Sequence, residues 1–174
     1  MNQAYREYIL VLRKRHLEEV AARQKMLASQ DVKKLGFIIN RNGKHISGKM
    51  WSDKNQSEIA FRSAYEFADC LRLEEDSNVK AYFVEAMSIP YKLDGVLHKY
   101  IPDLFVVYED GRSEVIEIKP SSMVRRQDVQ AKAIAANKFI SASGVKNCSY
   151  RFVTEEEIFD SYSQYKKFIG ALKQ

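Results

Sequence analysis

Asp103, Glu117 and Lys119 offer two carboxylates and an amine close enough in sequence to act on one substrate. They interrupt the stretch YIPDLFVVYEDGRSEVIEIKP, Tyr100 to Pro120, which otherwise reads as two adjacent strands. Tyr100 to Glu109 is rich in β-branched and aromatic residues, Asp110-Gly111 has the chemistry of a tight hairpin turn, and Val115 to Lys119 resumes the β pattern. Glu117 and Lys119 are two apart on a strand and so share a face, and pairing across the turn brings the Asp103 end of the first strand alongside them. Two carboxylates and an ammonium in a hairpin built for burial are costly to desolvate unless they pair or hold a metal. Hard oxygen ligands suit Mg²⁺ or Mn²⁺, with coordination positions left for water and phosphate oxygens, and a neighbouring lysine can orient or deprotonate an attacking water. Such a set points to phosphodiester hydrolysis. An isolated E-x-K read alone would give only a buried Glu117–Lys119 ion pair with Asp103 nearby.

Upstream, Phe61 to Tyr91 carries a second pattern. Arg62-Ser63 precedes Glu66 as R-S-x-x-E; Leu73, Asp76, Val79 and Tyr82 form L-x-x-D-x-x-V-x-x-Y; and Glu85 precedes Ile89-Pro90-Tyr91. With Pro102-Asp103 and Glu117-Ile118-Lys119 across an Asp-Gly hairpin, this order resembles the PD-(D/E)xK nuclease superfamily, and within it the TnsA-type transposon-end endonucleases and the related head-completion nucleases of tailed phages. The resemblance spans roughly Trp51 to Ile158.

The resemblance implies an α/β fold, a mixed β-sheet flanked by helices in a restriction-endonuclease-like core. It also implies a catalytic set of Glu66, Asp103, Glu117 and Lys119. Asp103, Glu117, Glu66 and the backbone carbonyl of Ile118 would be the metal ligands, the cofactor Mg²⁺ with Mn²⁺ able to substitute, and the substrate DNA. Lys119 would position or activate the nucleophile. Glu58 competes with Glu66 for the third carboxylate but falls outside the matched block, and Glu85 and His98 are candidates for supporting contacts. TnsA-type enzymes carry a further helical domain after the nuclease core, and this chain ends at Gln174. The expectation is therefore a phage-type nuclease acting in head completion, packaging or recombination, with a phage packaging or transposition protein as partner. One alternative is the transposon-end-cleaving subunit of a heteromeric transposase. Another is a silent DNA-binding or assembly module on a nuclease fold, against which all four catalytic positions are filled.

The charge distribution agrees with a polyanionic substrate. Residues 1–50 hold 11 Lys and Arg against 4 acids, residues 51–120 hold 8 against 14, and residues 121–174 hold 9 against 5. An acidic centre between basic flanks suits a metal site whose substrate is held from either side. The candidate DNA contacts are Arg13, Lys14 and Arg15 on the N-terminal segment, Lys44 and Lys49 in the Gly- and Asn-containing stretch after it, and Arg125 and Arg126 beyond the hairpin. Ordinary solvated helix faces would produce the same basic flanks. The 174 residues, 45% of them hydrophobic, can bury one ordinary core. No membrane span or secretory leader is legible, so a cytoplasmic location is expected. Cys70 and Cys148 lack metal-ligand spacing and read as reduced structural thiols, and His16 as a packed side chain.

Periodicity predicts the helices and strands that carry these residues. A long helix is expected over 1–30, and a loop or irregular hairpin around Asn42-Gly43 over 31–50, together a basic arm (1–50) preceding the nuclease domain (51–174). A second helix is expected from Gln56 to about Glu74, with Ala60, Ala64, Phe67 and Leu71 on one stripe. A strand should lie within Val79–Tyr91, then the central hairpin, a helix from Arg125 to Ser143 ended by Gly144, and a strand at Ser149–Val153. The last strand can lie parallel because its crossover is long enough. Thr154 and Glu157 form a capping-box pattern for a final helix.

Overall fold

The computed structural model describes residues 37–42 and 45–172, the side chains of residues 40–42 and 45 excepted. The expected N-terminal helix, with Arg13, Lys14 and Arg15, lies outside the described residues, as does Lys44.

A mixed four-stranded sheet, made of Val79–Val84, Leu104–Tyr108, Ser113–Ile118 and Cys148–Val153 in that spatial order, carries the site. β4 (Val79–Val84) pairs antiparallel with β7 (Leu104–Tyr108), and β7 with β8 (Ser113–Ile118). The turn between β7 and β8 is the expected one, with Gly111 at φ 84°, where a side chain would be strained. The chain then crosses through a short 3₁₀ turn (Ser121–Met123) and helix α2 (Gln127–Ser143), which stops on left-handed Gly144. It returns as β9 (Cys148–Val153), parallel to β8.

One face of this sheet buries Leu104, Val106, Ile116, Ile118 and Val153 against helix α1 (Ala64–Glu75), through Phe67, Cys70 and Leu73. The other buries Phe105 and Val115 against Ala136 and Ile140 of α2. Apolar residues on both faces, alternating along β7 and β8, oblige the sheet to take a helix on each side.

Four expectations change. The helix expected from Gln56 begins only at Ala64. Ser57–Phe61 is instead strand β3, in a three-stranded sheet with β1 (Phe37–Asn42) and β2 (His45–Ser52), which is the expected hairpin in regular form. Ser57, Ile59 and Phe61 are buried and Glu58 and Ala60 less so; this alternation of two overrode the helical stripe that began at Ala60. Gly48 permits the packing, because a Cβ there would stand 2.0 Å from the Ile38 carbonyl oxygen and 2.7 Å from the Phe61 ring.

The strand expected within 79–91 is β4, and a further strand, β5 (Ile89–Leu93), begins in the same segment. β5 pairs only with β6 (Val96–Tyr100), so Tyr100–Glu109 is split, and Pro102, which has no N–H to give a ladder, sits in the break. The last helix is also in two pieces, α3 (Glu155–Ile158) and α4 (Tyr162–Leu172). Thr154 is the N-cap residue but its side chain makes no capping bond: Glu157 is drawn to Arg151, and Glu155 to the Ser121 backbone N–H and hydroxyl at 2.8 and 2.7 Å.

Candidate active site

Asp103 enters β7 directly after buried Pro102. Leu104 is opposite Ile116, so one step further Asp103 lies across from Glu117. Its Oδ2 accepts a hydrogen bond from the Ile118 backbone N–H at 2.7 Å, and its own carbonyl accepts from the Glu85 N–H at 3.0 Å. Glu117 is buried, 2% exposed, and each of its oxygens is engaged: Oε1 lies 2.8 Å from Lys119 Nζ, and Oε2 accepts from the Tyr100 hydroxyl at 2.7 Å. Lys119 Nζ also stands 3.6 Å from Asp103 Oδ2 and donates to the Ile118 carbonyl at 3.1 Å.

The electrostatics follow from crowding two carboxylates onto one ammonium. Burial first, and then the charge of Glu117, push Asp103 up to about 7, with Lys119 and the Ile118 N–H opposing. Burial acts to lower the Lys119 value, but Asp103 and Glu117 outweigh it and hold the amine above its ordinary range. Tyr100 is pushed up by burial and then by Glu117, so it stays a donor.

Glu66 sits at the third position of α1, and Ser63 is its N-cap. The Glu66 N–H donates to Ser63 Oγ at 3.1 Å, and its carboxylate accepts from the Ser63 hydroxyl and the Arg62 N–H, each at 2.9 Å. This is a variant of the capping box, its return bond going to the N–H one residue before the N-cap, in the R-S-x-x-E block rather than at Thr154. Both Asp103 and Lys119 feel the Glu66 charge. Glu58 lies on β3 and pairs with Lys49 at 3.3 Å, which occupies that lysine. Glu85 pairs with Arg62 at 2.9 Å, and His98 is exposed with its ring 5.3 Å from that of Tyr91. Arg125 and Arg126 are exposed ahead of α2, Arg126 paired with Asp128 at 3.0 Å.

The cluster lies within a stretch with known counterparts. Residues 76–155 match the TnsA-like endonuclease N terminal family. The matched TnsA-like stretch runs from the end of α1 to the start of α3 and holds Asp103, Glu117, Ile118 and Lys119, while Glu66 precedes it. The resemblance to a TnsA-like PD-(D/E)xK nuclease is thereby shown, and the match implies a nuclease. No curated protein matches the chain. No helix among the described residues is long and apolar enough to cross a membrane.

The oxygens present suit a hard divalent cation. Glu117 Oε1, Asp103 Oδ2 and the Ile118 carbonyl already converge on a cation, the Lys119 ammonium, at 2.8, 3.6 and 3.1 Å. Among the described residues no three His, Cys, Asp or Glu are grouped to hold a metal ion, and the carboxylate of Glu66, the third expected ligand, is engaged by Ser63 and Arg62. Sequence reasoning missed Tyr100. The only signal for it was a tyrosine at the head of the strand, and its partner Glu117 became visible only once the ribbon had folded back.

Proposed function

We propose that this chain is a Mg²⁺-dependent DNA endonuclease of the TnsA-like kind that hydrolyses phosphodiester bonds. The observation that carries this is the convergence of Asp103, Glu117, Lys119 and the Ile118 carbonyl inside the matched stretch. Asp103, Glu117 and the Ile118 carbonyl would hold the metal, which when bound supplies Lewis-acid polarisation of the phosphate and a more acidic water. Tyr100 fixes one oxygen of Glu117 and leaves the other facing the cation position. Lys119, kept protonated by its two carboxylates, stabilises charge on the phosphate and orients the incoming group rather than removing its proton. Glu66 holds the start of α1 beside these residues and adds negative charge there.

The test is to incubate purified protein with supercoiled, linear and branched DNA in Mg²⁺, Mn²⁺ or EDTA. Cleavage with either metal and none in EDTA is expected, and Asp103→Ala or Glu117→Ala should lower it by about a thousandfold or more while DNA binding is kept or tightened, because a charge that repels phosphate is removed along with a ligand. Full activity in either variant would reject this site. The motif order fits a phage-type nuclease and a transposon-end endonuclease alike; preferential cutting of branched or packaging-type ends would support the phage-type role, and cutting only at specific terminal sequences would favour transposon-end cleavage.

A further inference from the structure

Among the described residues the β5–β6 ribbon forms its own two-stranded sheet and joins no ladder of the catalytic sheet. Its root is fixed and its far end is bare. At the root, Ile89 is opposite Tyr100, both are buried, and the Tyr100 hydroxyl reaches Glu117. Three residues beyond Tyr100 the chain arrives at Asp103. At the far end, Lys92 and every residue from Asp94 to Lys99 are exposed. Two large apolar side chains stand there, Val96 at 56% exposed and Leu97 at 67%, and Ile101, 50% exposed, follows the root. Leaving such residues in water has to be explained.

The register sorts the ribbon into two faces. Pro90 is opposite Lys99 and Lys92 opposite Leu97, so these four share one face, and Tyr91, His98, Leu93 and Val96 share the other. Neither Lys92 nor Lys99 is in an ion pair among the described residues, and Asp94 at the turn is the ribbon's single acid. Lys132 adds a cation near the root, 5.7 Å over the Tyr100 ring. A contact with a second copy through this face would set lysines against lysines. A polyanion would not.

We infer that the β5–β6 ribbon is an arm that grips duplex DNA next to the catalytic cluster, with Lys92 and Lys99 on phosphates and the Val96-Leu97 tip in a groove. A two-stranded ribbon has the width of the major groove, and apolar side chains can wedge between base steps from the minor groove. The inference rests on the nuclease reading for its substrate and adds which element holds it. The arm is tied to the site through Tyr100, so gripping DNA there sets the scissile phosphate close to Glu117 and Asp103.

The test uses the full chain and a labelled duplex, with binding measured in EDTA across a salt series and cleavage measured separately in Mg²⁺. The double variant Lys92→Ala/Lys99→Ala should bind about tenfold more weakly near physiological salt and lower the slope of log K against log salt by about two, since each phosphate contact contributes about 0.9. Lys92→Arg/Lys99→Arg should restore both. Val96→Ser/Leu97→Ser should weaken binding with the slope unchanged. If both the alanine and the serine double variants bind as wild type, or if the serine variant alters only the oligomeric state in sedimentation, the ribbon is no DNA arm even though the wild-type protein still cuts. If the wild-type protein binds DNA without cutting while the ribbon variants lose binding as described, the arm stands and the nuclease reading fails.

Discussion

Strand β8 carries two glutamates three residues apart, Glu114 and Glu117, whose side chains project from opposite faces of the sheet and meet opposite fates. Glu114 is matched. Its Oε2 accepts from Arg151 Nε and from the Tyr108 hydroxyl, each at 2.7 Å, and Arg151 goes on to Glu157. Burial acts to raise Glu114, but those two donors outweigh it and hold the carboxyl below its ordinary value. Glu117 shares one lysine with Asp103, and burial first, then the charge of Glu117, drives Asp103 upward, with a smaller push from Glu66. A charge cluster closed by arginines stabilises a fold; one left short of positive charge has room for a cation. That arrangement is what separates a structural network from a candidate catalytic one.

The largest loss of activity is expected at Lys119. Lys119→Ala should leave two crowded carboxylates without their ammonium and be nearly inactive, whereas Lys119→Arg should keep weak Mn²⁺-dependent cutting, because it keeps the charge and loses only the shape. Complete inactivity of the arginine variant, with metal and DNA binding intact, would assign the lysine a proton-transfer role instead.

A smaller effect is expected at Tyr100. Tyr100→Phe keeps the ring but leaves a buried Glu117 oxygen without its donor, so the carboxylate is free to turn. Mn²⁺ binding measured by titration calorimetry should weaken about tenfold, the equivalent of one lost hydrogen bond of about 1.4 kcal/mol, and kcat should fall more than KM rises. Wild-type Mn²⁺ affinity in a variant that cuts normally would make Tyr100 a packing residue only.

On the opposite face the expected effect is on stability and not on cutting. Glu114→Gln should cost about 1–2 kcal/mol at neutral pH, seen as a lower Tm, with cleavage unchanged per folded molecule. The folded-state value of Glu114 lies below its ordinary 4.5, so its contribution is complete above that pH and is lost as pH falls through the folded value. The wild-type Tm should therefore approach that of the glutamine variant in acid. A constant gap between the two from neutral pH down to about pH 3 would show that the Arg151 contact contributes through packing rather than charge.

The cluster itself was legible because strand geometry is nearly deterministic. A residue spacing of two fixes which face Glu117 and Lys119 share, and an Asp-Gly turn fixes the register that sets Asp103 across from them. The left-handed cap at Gly144 and the parallel return of β9 were readable for the same reason: each depends on a few adjacent residues and a connection length. Ser57–Phe61 was misread because five residues of alternating burial carry less signal than the helical stripe they adjoin, and only pairing with β2 decides between them.

Only the tertiary structure decided which charges are matched. Sequence determined that Glu114, Glu117, Asp103 and Lys119 stand on one hairpin, but Arg151 reaches Glu114 from β9 after a helical crossover, and Tyr100 reaches Glu117 from a ribbon that has left the sheet. Those partners lie 37 and 17 residues away along the chain. No local periodicity encodes such a meeting; it arises from how layers pack on either face of the sheet, and it makes one glutamate of β8 structural and leaves the other poised beside a cation.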